Sequence, residues 1–250
     1  LFGLKPTRGR TPVGPGVGRA WQGAAVGFML TRTVRDSAAL LDILQVVQPS
    51  AAFQAPPYAG SYKEDMTKEF DQPLRIAFTT DSPVGTPVSE EAKKAVKQVV
   101  KWLEGLGHRV EEKENGVDGV ELVKAYYLMN SGEMAATVNR IEKTFGRPLT
   151  ANDMEMESWV LNKAGQSVSA AEYSASLATW DRAAERMAEL HEQYDFYITP
   201  ATAFPAPKIG ELTHSREKQD YFRSQIETVD KSKHQELVYD MFHLGLIYSP

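Results

Sequence analysis

Apolar and polar positions follow a strand–helix–strand pattern in residues 73–112. Leu74, Ile76 and Phe78 alternate with other residues and predict a β-strand, and the segment HRVEE predicts a second strand. Between the two, Ser89 is placed to cap a helix whose first turn is acidic. That helix is predicted to bury one apolar stripe, which consists of Ala92, Val96, Val99, Leu103 and Leu106. Two strands joined by a helix predict a parallel pair with a right-handed crossover.

Helical spacing of apolar residues dominates two other parts of the chain. Thr33, with an aspartate three positions later, resembles a capping box at the start of a helix, and Pro49 is expected to close that helix. Residues 117–194 are expected to be mostly helical. Within them, Ser169 with a glutamate three positions later predicts the start of the most regular helix.

The last part of the chain is predicted to return to strand and then to helix. The segment DFYITP predicts a strand, which ends in a proline-rich loop after Ile198. Residues 211–240 are polar and are expected to be helical in part. A further apolar element is expected to begin at Met241.

Helices and strands in this order predict an α/β fold whose sheet is covered by helices. With 250 residues the chain could form one large domain or two small ones. The chain begins in one element and ends in another, and its strands are few for the amount of helix. The sequence therefore predicts a fragment that is truncated at both ends.

Composition narrows the classes of protein that the chain can belong to. Its 250 residues are 42% hydrophobic and 24% charged, which is typical of a globular protein. A formal net charge of −5 with both signs interspersed argues against nucleic-acid binding. The absence of cysteine excludes disulfides and thiolate chemistry and fits a reducing compartment. With no segment that predicts a membrane span, we expect a cytoplasmic protein with no membrane partner.

The common motifs of nucleophilic and metal-dependent catalysis are missing from the sequence. The five histidines are scattered without an H-E-x-x-H pattern, so no metal site is expected, and His191 is interpreted as a core histidine with a backbone partner. Ser61 and Ser131 each have a glycine on one side only and lack the G-x-S-x-G turn of serine hydrolases. We expect surface or helix-capping roles for both serines.

Three segments together resemble the amidase signature family. They are GLKPTRGR at residues 3–10, LTRTVRDSAALLD at residues 30–42 and YDFYITPATAFPAPKIGE at residues 194–211. They occur in the order of that family and at plausible separations, and the resemblance extends over nearly the whole chain. The helical stretch 112–170 is the least diagnostic part. The resemblance implies that residues 1–250 are part of a single α/β domain, with a mixed sheet covered by helices, that contains the strand–helix–strand unit and the helical region.

The resemblance implies a hydrolase that cleaves carboxamides with a Ser–Ser–Lys arrangement. In that family, a lysine acts through a bridging serine to deprotonate the nucleophilic serine, and backbone N–H groups stabilise the oxyanion. All three catalytic residues are expected upstream of Leu1, and Lys5 matches a lysine of the family that is not catalytic. We therefore assign no catalytic residue, expect no cofactor or metal, and predict that residues 1–250 alone are inactive.

The resemblance also implies that part of the chain forms one wall of the substrate pocket. Thr199, Pro200 and Thr202 match positions near the acyl pocket, and the prolines of this segment suit a rigid wall. Asn130 and Met134, in the variable helical region, are further candidates for contact with a small carboxamide substrate. A strand-ending turn without ligand contact is the structural alternative for the first three residues.

Two other functions stay open at this point. One is the A-type subunit of a glutamine amidotransferase for tRNA-dependent amidation, which would copurify with partner subunits. The other is a non-catalytic scaffold or binding protein that has lost the serines. Surfaces left open by truncation are expected to favour self-association of the fragment.

Overall fold

A computed structural model of the chain describes residues 1–248. Its backbone forms two compact units, Leu1–Asp71 and Gln72–Pro250. The assignment of residues 1–250 to a single domain stays a prediction.

The first unit contains a two-stranded antiparallel ladder and two helices. Strands β1 and β2 pair Phe2 with Thr31. The elements of this unit are β1 (Phe2–Gly3), β2 (Leu30–Thr31), α1 (Val34–Leu44) and α2 (Tyr62–Asp65), together with a short 3₁₀ turn at Trp21–Gly23. The predicted N-cap of α1 is confirmed, because the hydroxyl of Thr33 accepts a hydrogen bond of 3.1 Å from the backbone N–H of Asp36.

Helix α1 ends earlier than predicted, at Leu44 rather than near Pro49. Gln48, which lies between Leu44 and Pro49, is hydrogen-bonded to the loop that precedes β2. The side chain of Gln48 accepts from the backbone N–H of Val13 at 3.0 Å and donates to the carbonyl of Gly14 at 2.9 Å. These bonds hold the segment after α1 against the loop, outside the helical path.

The second unit is built around a three-stranded parallel sheet. Its strands are β3 (Arg75–Phe78), β4 (Arg109–Glu112) and β5 (Phe196–Ile198), in the order β4–β3–β5. Ile76 lies opposite Val110 on one side and Phe196 on the other. Helix α3 (Glu90–Gly105) joins β3 to β4. The predicted parallel pair and the α/β class are therefore confirmed.

Helix α3 begins at its predicted cap, but its buried face is rotated from the predicted one. Ser89 accepts from the backbone N–H of Ala92 at 3.2 Å. Val96 and Val100 are buried, whereas Val99 is 39% exposed and Leu106 is 61% exposed. The prediction of Val99 and Leu106 as core residues was wrong, because the row Val96–Val100 is the one that is buried.

Five helices make up the rest of the second unit. They are α4 (Gly119–Phe145), α5 (Met156–Ser167), α6 (Ala170–Gln193), α7 (Arg216–Thr228) and α8 (His234–Leu246). Their main core is formed by Met156, Trp159, Val160, Leu161, Ala164, Phe222, Ile226, Leu237, Val238 and Met241. The predicted capping box of α6 is confirmed, with the carboxylate of Glu172 accepting from the backbone N–H of Ser169 at 2.8 Å.

The apolar run that begins at Met241 belongs to helix α8 and does not start a separate element. Met241 is buried in the same core as Leu237 and Val238, at the next turn of one continuous helix. The end of that run, at positions 249 and 250, lies outside the described residues.

A candidate pocket wall at the carboxyl edge of the sheet

The carboxyl ends of β3, β4 and β5 meet along one edge of the sheet, as parallel strands require. Ligands of open α/β sheets bind at such edges. Two backbone hydrogen bonds extend the ladder beyond the strands and fix the segments that follow. The N–H of Thr79 donates to the carbonyl of Ile198 at 3.0 Å, and the N–H of Lys113 donates to the carbonyl of Phe78 at 2.9 Å.

The first cavity at this edge, here called the β5–α3 cavity, has a volume of about 330 Å³. The loop after β5 forms one side of it and the first half of α3 forms the other. Three of the predicted substrate residues line it: Thr199, Pro200 and Thr202. The α3 side is mainly apolar, with Val96 and Val99 among its residues. The structure thus brings these three predicted residues together around one cavity.

The loop that carries these residues is fixed at several points. The backbone N–H of Ser89, the N-cap of α3, donates to the carbonyl of Ala203 at 2.8 Å. Within the loop, the Thr202 hydroxyl donates to the carbonyl of Phe204 at 2.8 Å. Pro200 and Ala203 are buried. The loop therefore presents a constrained wall to the cavity.

A second cavity, here called the sheet-edge cavity, lies beside the first and has a volume of about 400 Å³. Its lining is more polar and includes Thr79, Asp81, Glu114, Tyr197 and Thr199. Thr199 lines both cavities and therefore lies between them. Burial raises the pKa of Tyr197, so its phenol is a neutral hydrogen-bonding group at physiological pH.

The polar groups of these cavities suit hydrogen bonding to an amide. Hydroxyl groups donate to a carbonyl oxygen or accept from an N–H, and carboxylates accept from an N–H. Ser82, which also lines the sheet-edge cavity, lies with its hydroxyl 2.8 Å from that of Thr86. Among the described residues, neither cavity is lined by a histidine or a lysine that could act as a base. The geometry supports substrate binding and does not by itself supply an activated nucleophile.

The two other predicted substrate residues lie elsewhere, on helix α4. Asn130 is buried, and Met134 packs against the helical core formed by α5, α7 and α8. Neither lines the β5–α3 cavity or the sheet-edge cavity. Their contact with substrate stays a prediction.

Sequence reasoning missed Thr79 and Tyr197 as lining residues of the sheet-edge cavity. Thr79 directly follows the last residue of β3, and Tyr197 lies within β5. The signal for Thr79 was available, because polar residues directly after a parallel strand lie at the ligand-binding edge. Nothing local marks Tyr197, whose position depends on pairing with a strand 120 residues earlier.

Three residues that the sequence analysis considered have structural roles. Ser61 caps α2, as predicted. Ser131 is fully buried inside α4 and donates to the carbonyl of Tyr127 at 2.8 Å, so a surface or capping role for it was wrong. His191 has the predicted backbone partner, the carbonyl of Tyr194 at 3.1 Å, but its residue is exposed and does not belong to the core.

Metal-ligand clusters and membrane-spanning helices are both absent from the described part of the chain. Within residues 1–248, no group of three or more His, Asp or Glu side chains is placed to hold a metal ion. No helix within that range is long and apolar enough to span a bilayer.

Comparison with known proteins identifies the family. The sequence model of the Amidase family matches residues 1–234. The chain therefore belongs to the amidase family, which confirms the resemblance seen in the sequence motifs.

Individual relatives agree with this assignment. The chain is 32% identical to the lipoamidase of Enterococcus faecalis over 99% of its own length and 32% of that protein. It is also 32% identical to the 6-aminohexanoate-cyclic-dimer hydrolase of Paenarthrobacter ureafaciens, over 85% of the chain and 44% of that enzyme. A solved structure of a 6-aminohexanoate cyclic dimer hydrolase superposes with a TM-score of 0.78 and 28% identity, over 97% of this chain and 51% of that one. The chain thus spans between a third and a half of the length of these relatives.

Proposed function

We propose that the natural protein that contains residues 1–250 hydrolyses carboxamides, and that these residues supply its scaffold and one wall of its substrate pocket. The observation that carries this proposal is the position of Thr199, Pro200 and Thr202 around one cavity at the carboxyl edge of the sheet. The family match over residues 1–234 supports the type of reaction.

The wall would act by orienting the substrate. Thr199 lines both cavities, and its hydroxyl, which donates to the carbonyl of Pro200 at 3.2 Å, would accept from the N–H of a bound carboxamide. The proline beside it limits the motion of the backbone, so less conformational entropy is lost when substrate binds.

The chemical step requires groups that we do not assign to residues 1–250. We infer from the family resemblance that a Ser–Ser–Lys arrangement supplies the nucleophile and its base, with water as the second substrate. No cofactor or metal is needed for that chemistry. We therefore propose that residues 1–250 alone do not hydrolyse carboxamides.

The test of the proposed function measures ammonia release from a panel of simple primary carboxamides. We expect turnover by the natural protein that contains these residues and none by residues 1–250 alone. Absence of turnover by the natural protein across alkyl and aryl amides contradicts the proposed reaction. Turnover by residues 1–250 alone contradicts the assignment of the catalytic groups elsewhere.

Pocket contact is tested by substitution in the same natural protein. We expect Thr199→Val to lower kcat/KM by about three- to tenfold, the loss that corresponds to one hydrogen bond. Thr228→Val is the matched control, because Thr228 is an exposed residue of α7 whose hydroxyl donates to the backbone of its own helix. Equal kcat/KM values for the two variants contradict the role of Thr199.

A further inference from the structure

A third cavity, here called the α4–α6 cavity, has a volume of about 400 Å³ and an almost wholly apolar lining. Asn115 is the one polar side chain among its described lining residues besides the indole of Trp180. The apolar part of the lining is formed by Pro83, Val84, Val117, Leu122, Val123, Ala183, Ala184 and Met187. Volume and lining both match cavities that bind the apolar part of a small molecule.

The walls of this cavity are held in place by packing around it. Trp180 is stacked with Tyr126, with the ring centroids 6.3 Å apart and the planes inclined by 20°. Gly119, the first residue of α4, lies directly against Pro83, and a Cβ at Gly119 would overlap the Pro83 carbonyl. The cavity is therefore preformed, so binding would not require the cost of ordering its walls.

The two polar groups of the lining disfavour a positively charged ligand. The Asn115 carboxamide oxygen already accepts from the backbone N–H of Val117 at 2.9 Å. The Nε1–H of Trp180 is buried and has no acceptor among the described residues. Trp180 is thus a donor, and an ammonium group, which carries only donors, would find no acceptor in its indole. The energetic cost of desolvating a charge would remain uncompensated.

The α4–α6 cavity adjoins the sheet-edge cavity, because Pro83, Asn115 and Val117 line both of them. A molecule whose amide group lies among the polar groups of the sheet-edge cavity would reach the α4–α6 cavity by extending an apolar substituent past these three residues.

We propose that the α4–α6 cavity holds an uncharged alkyl or aryl substituent of the carboxamide and thereby selects substrates with a long apolar chain. This inference rests on the proposed function in taking a carboxamide as the ligand. It assigns a specificity role to the residues of α4 and α6 that line this cavity.

The test is equilibrium binding of two matched ligands, measured by titration calorimetry with residues 1–250, which we propose do not hydrolyse them. The ligands are octanamide and 7-aminoheptanamide, which have the same chain length. Octanamide ends in a methyl group, whereas 7-aminoheptanamide ends in an ammonium group. We expect octanamide to bind at least tenfold more tightly. Equal affinities for the two ligands overturn the proposal.

A pair of variants on α6 locates the binding site. Ala183→Leu places a larger side chain in the lining of the cavity and is expected to weaken octanamide binding at least fivefold. Ala188→Leu makes the same change at an exposed position of the same helix that does not line the cavity, and is expected to stay within twofold of wild type. Similar octanamide affinities for the two variants overturn the location.

Binding and turnover separate this inference from the proposed function. Preferential binding of octanamide that Ala183→Leu removes, without hydrolysis of any carboxamide, supports the cavity and contradicts the reaction. Hydrolysis of carboxamides without preferential binding of octanamide supports the reaction and contradicts the cavity.

Discussion

Helix α5 lies directly against α4 at Gly165, and this contact gives a sharp test of the packing. A Cβ at Gly165 would overlap the backbone carbonyl of Ser131 and would lie 2.9 Å from the Cβ of Ala135. Glycine at this position therefore permits a crossing that any other residue would push apart. We expect Gly165→Ala to destabilise the protein.

The expected magnitude is the difference between two effects. In a helix interior, replacing glycine by alanine stabilises the folded protein by about 1 kcal/mol, because alanine loses less conformational entropy than glycine when the chain folds. Overfilling a packed core costs about 1–3 kcal/mol. At Gly165 the obstacle is a backbone carbonyl, which cannot rotate away as a side chain can, so the upper end of that range applies. The net loss of stability for Gly165→Ala is then about 2 kcal/mol.

The matched control is Gly245→Ala in helix α8, where no atom of residues 1–248 outside the adjacent helix backbone lies within 4 Å of the added Cβ. At Gly245 only the higher helix propensity of alanine acts, so the substitution should stabilise the folded protein by up to about 1 kcal/mol. Urea unfolding followed by circular dichroism measures both variants, whose midpoints should differ by about 1 M. A Gly165→Ala protein as stable as Gly245→Ala would refute the close crossing of α4 and α5.

Three further predictions concern polar and titratable groups beside the helical core. Glu227→Ala removes the carboxylate that accepts from the Trp159 indole at 3.1 Å, and thermal unfolding should show a loss of about 1 kcal/mol. Burial lowers the pKa of His234, whose ring lies 3.1 Å from the Ser167 hydroxyl, so the unfolded chain binds the proton more tightly. Stability should therefore fall as the pH drops below about 6.5, and less steeply in His234→Asn, as measured by urea unfolding at several pH values. Burial raises the pKa of Tyr127 to about 12, so the ultraviolet titrations of wild type and Tyr127→Phe should diverge only above about pH 11.

Local signals were sufficient to predict the helix starts and the parallel β3–β4 pair. The caps at Thr33, Ser89 and Ser169 each need only a few neighbouring residues, and all three are present in the structure. A right-handed crossover follows from strand, helix and strand in sequence. Each of these features is formed by one contiguous segment of the chain, so the order of apolar and polar residues is enough to predict it.

The buried face of α3 could not be settled in the same way. The helix has apolar residues on two adjacent rows, and both rows have helical spacing. Val96 and Val100 are buried, while Trp102 is 68% exposed. Periodicity cannot choose between two apolar rows, because the choice depends on the shape of the surface on which the helix packs.

Of the candidate site, the loop after β5 was predicted from family motifs and not from physical pattern. Thr199 and Thr202 are ordinary loop residues when only composition is considered. Their significance depends on β5 lying beside β3, a pairing between segments about 120 residues apart that no local signal specifies. The same separation explains why Tyr197 was overlooked.

The placement of Thr199 depends in turn on a contact at the opposite end of its strand. At the start of β5, the Asp195 carboxylate accepts from the backbone N–H of Arg75 at 2.8 Å, while the N–H of Asp195 donates to the Arg75 carbonyl at 2.7 Å. These bonds fix the register of a strand that has only three residues. A slip by one residue would turn every side chain of β5 to the other face of the sheet. The contacts of Asp195 therefore help to fix the register in which Thr199 lies between the β5–α3 cavity and the sheet-edge cavity.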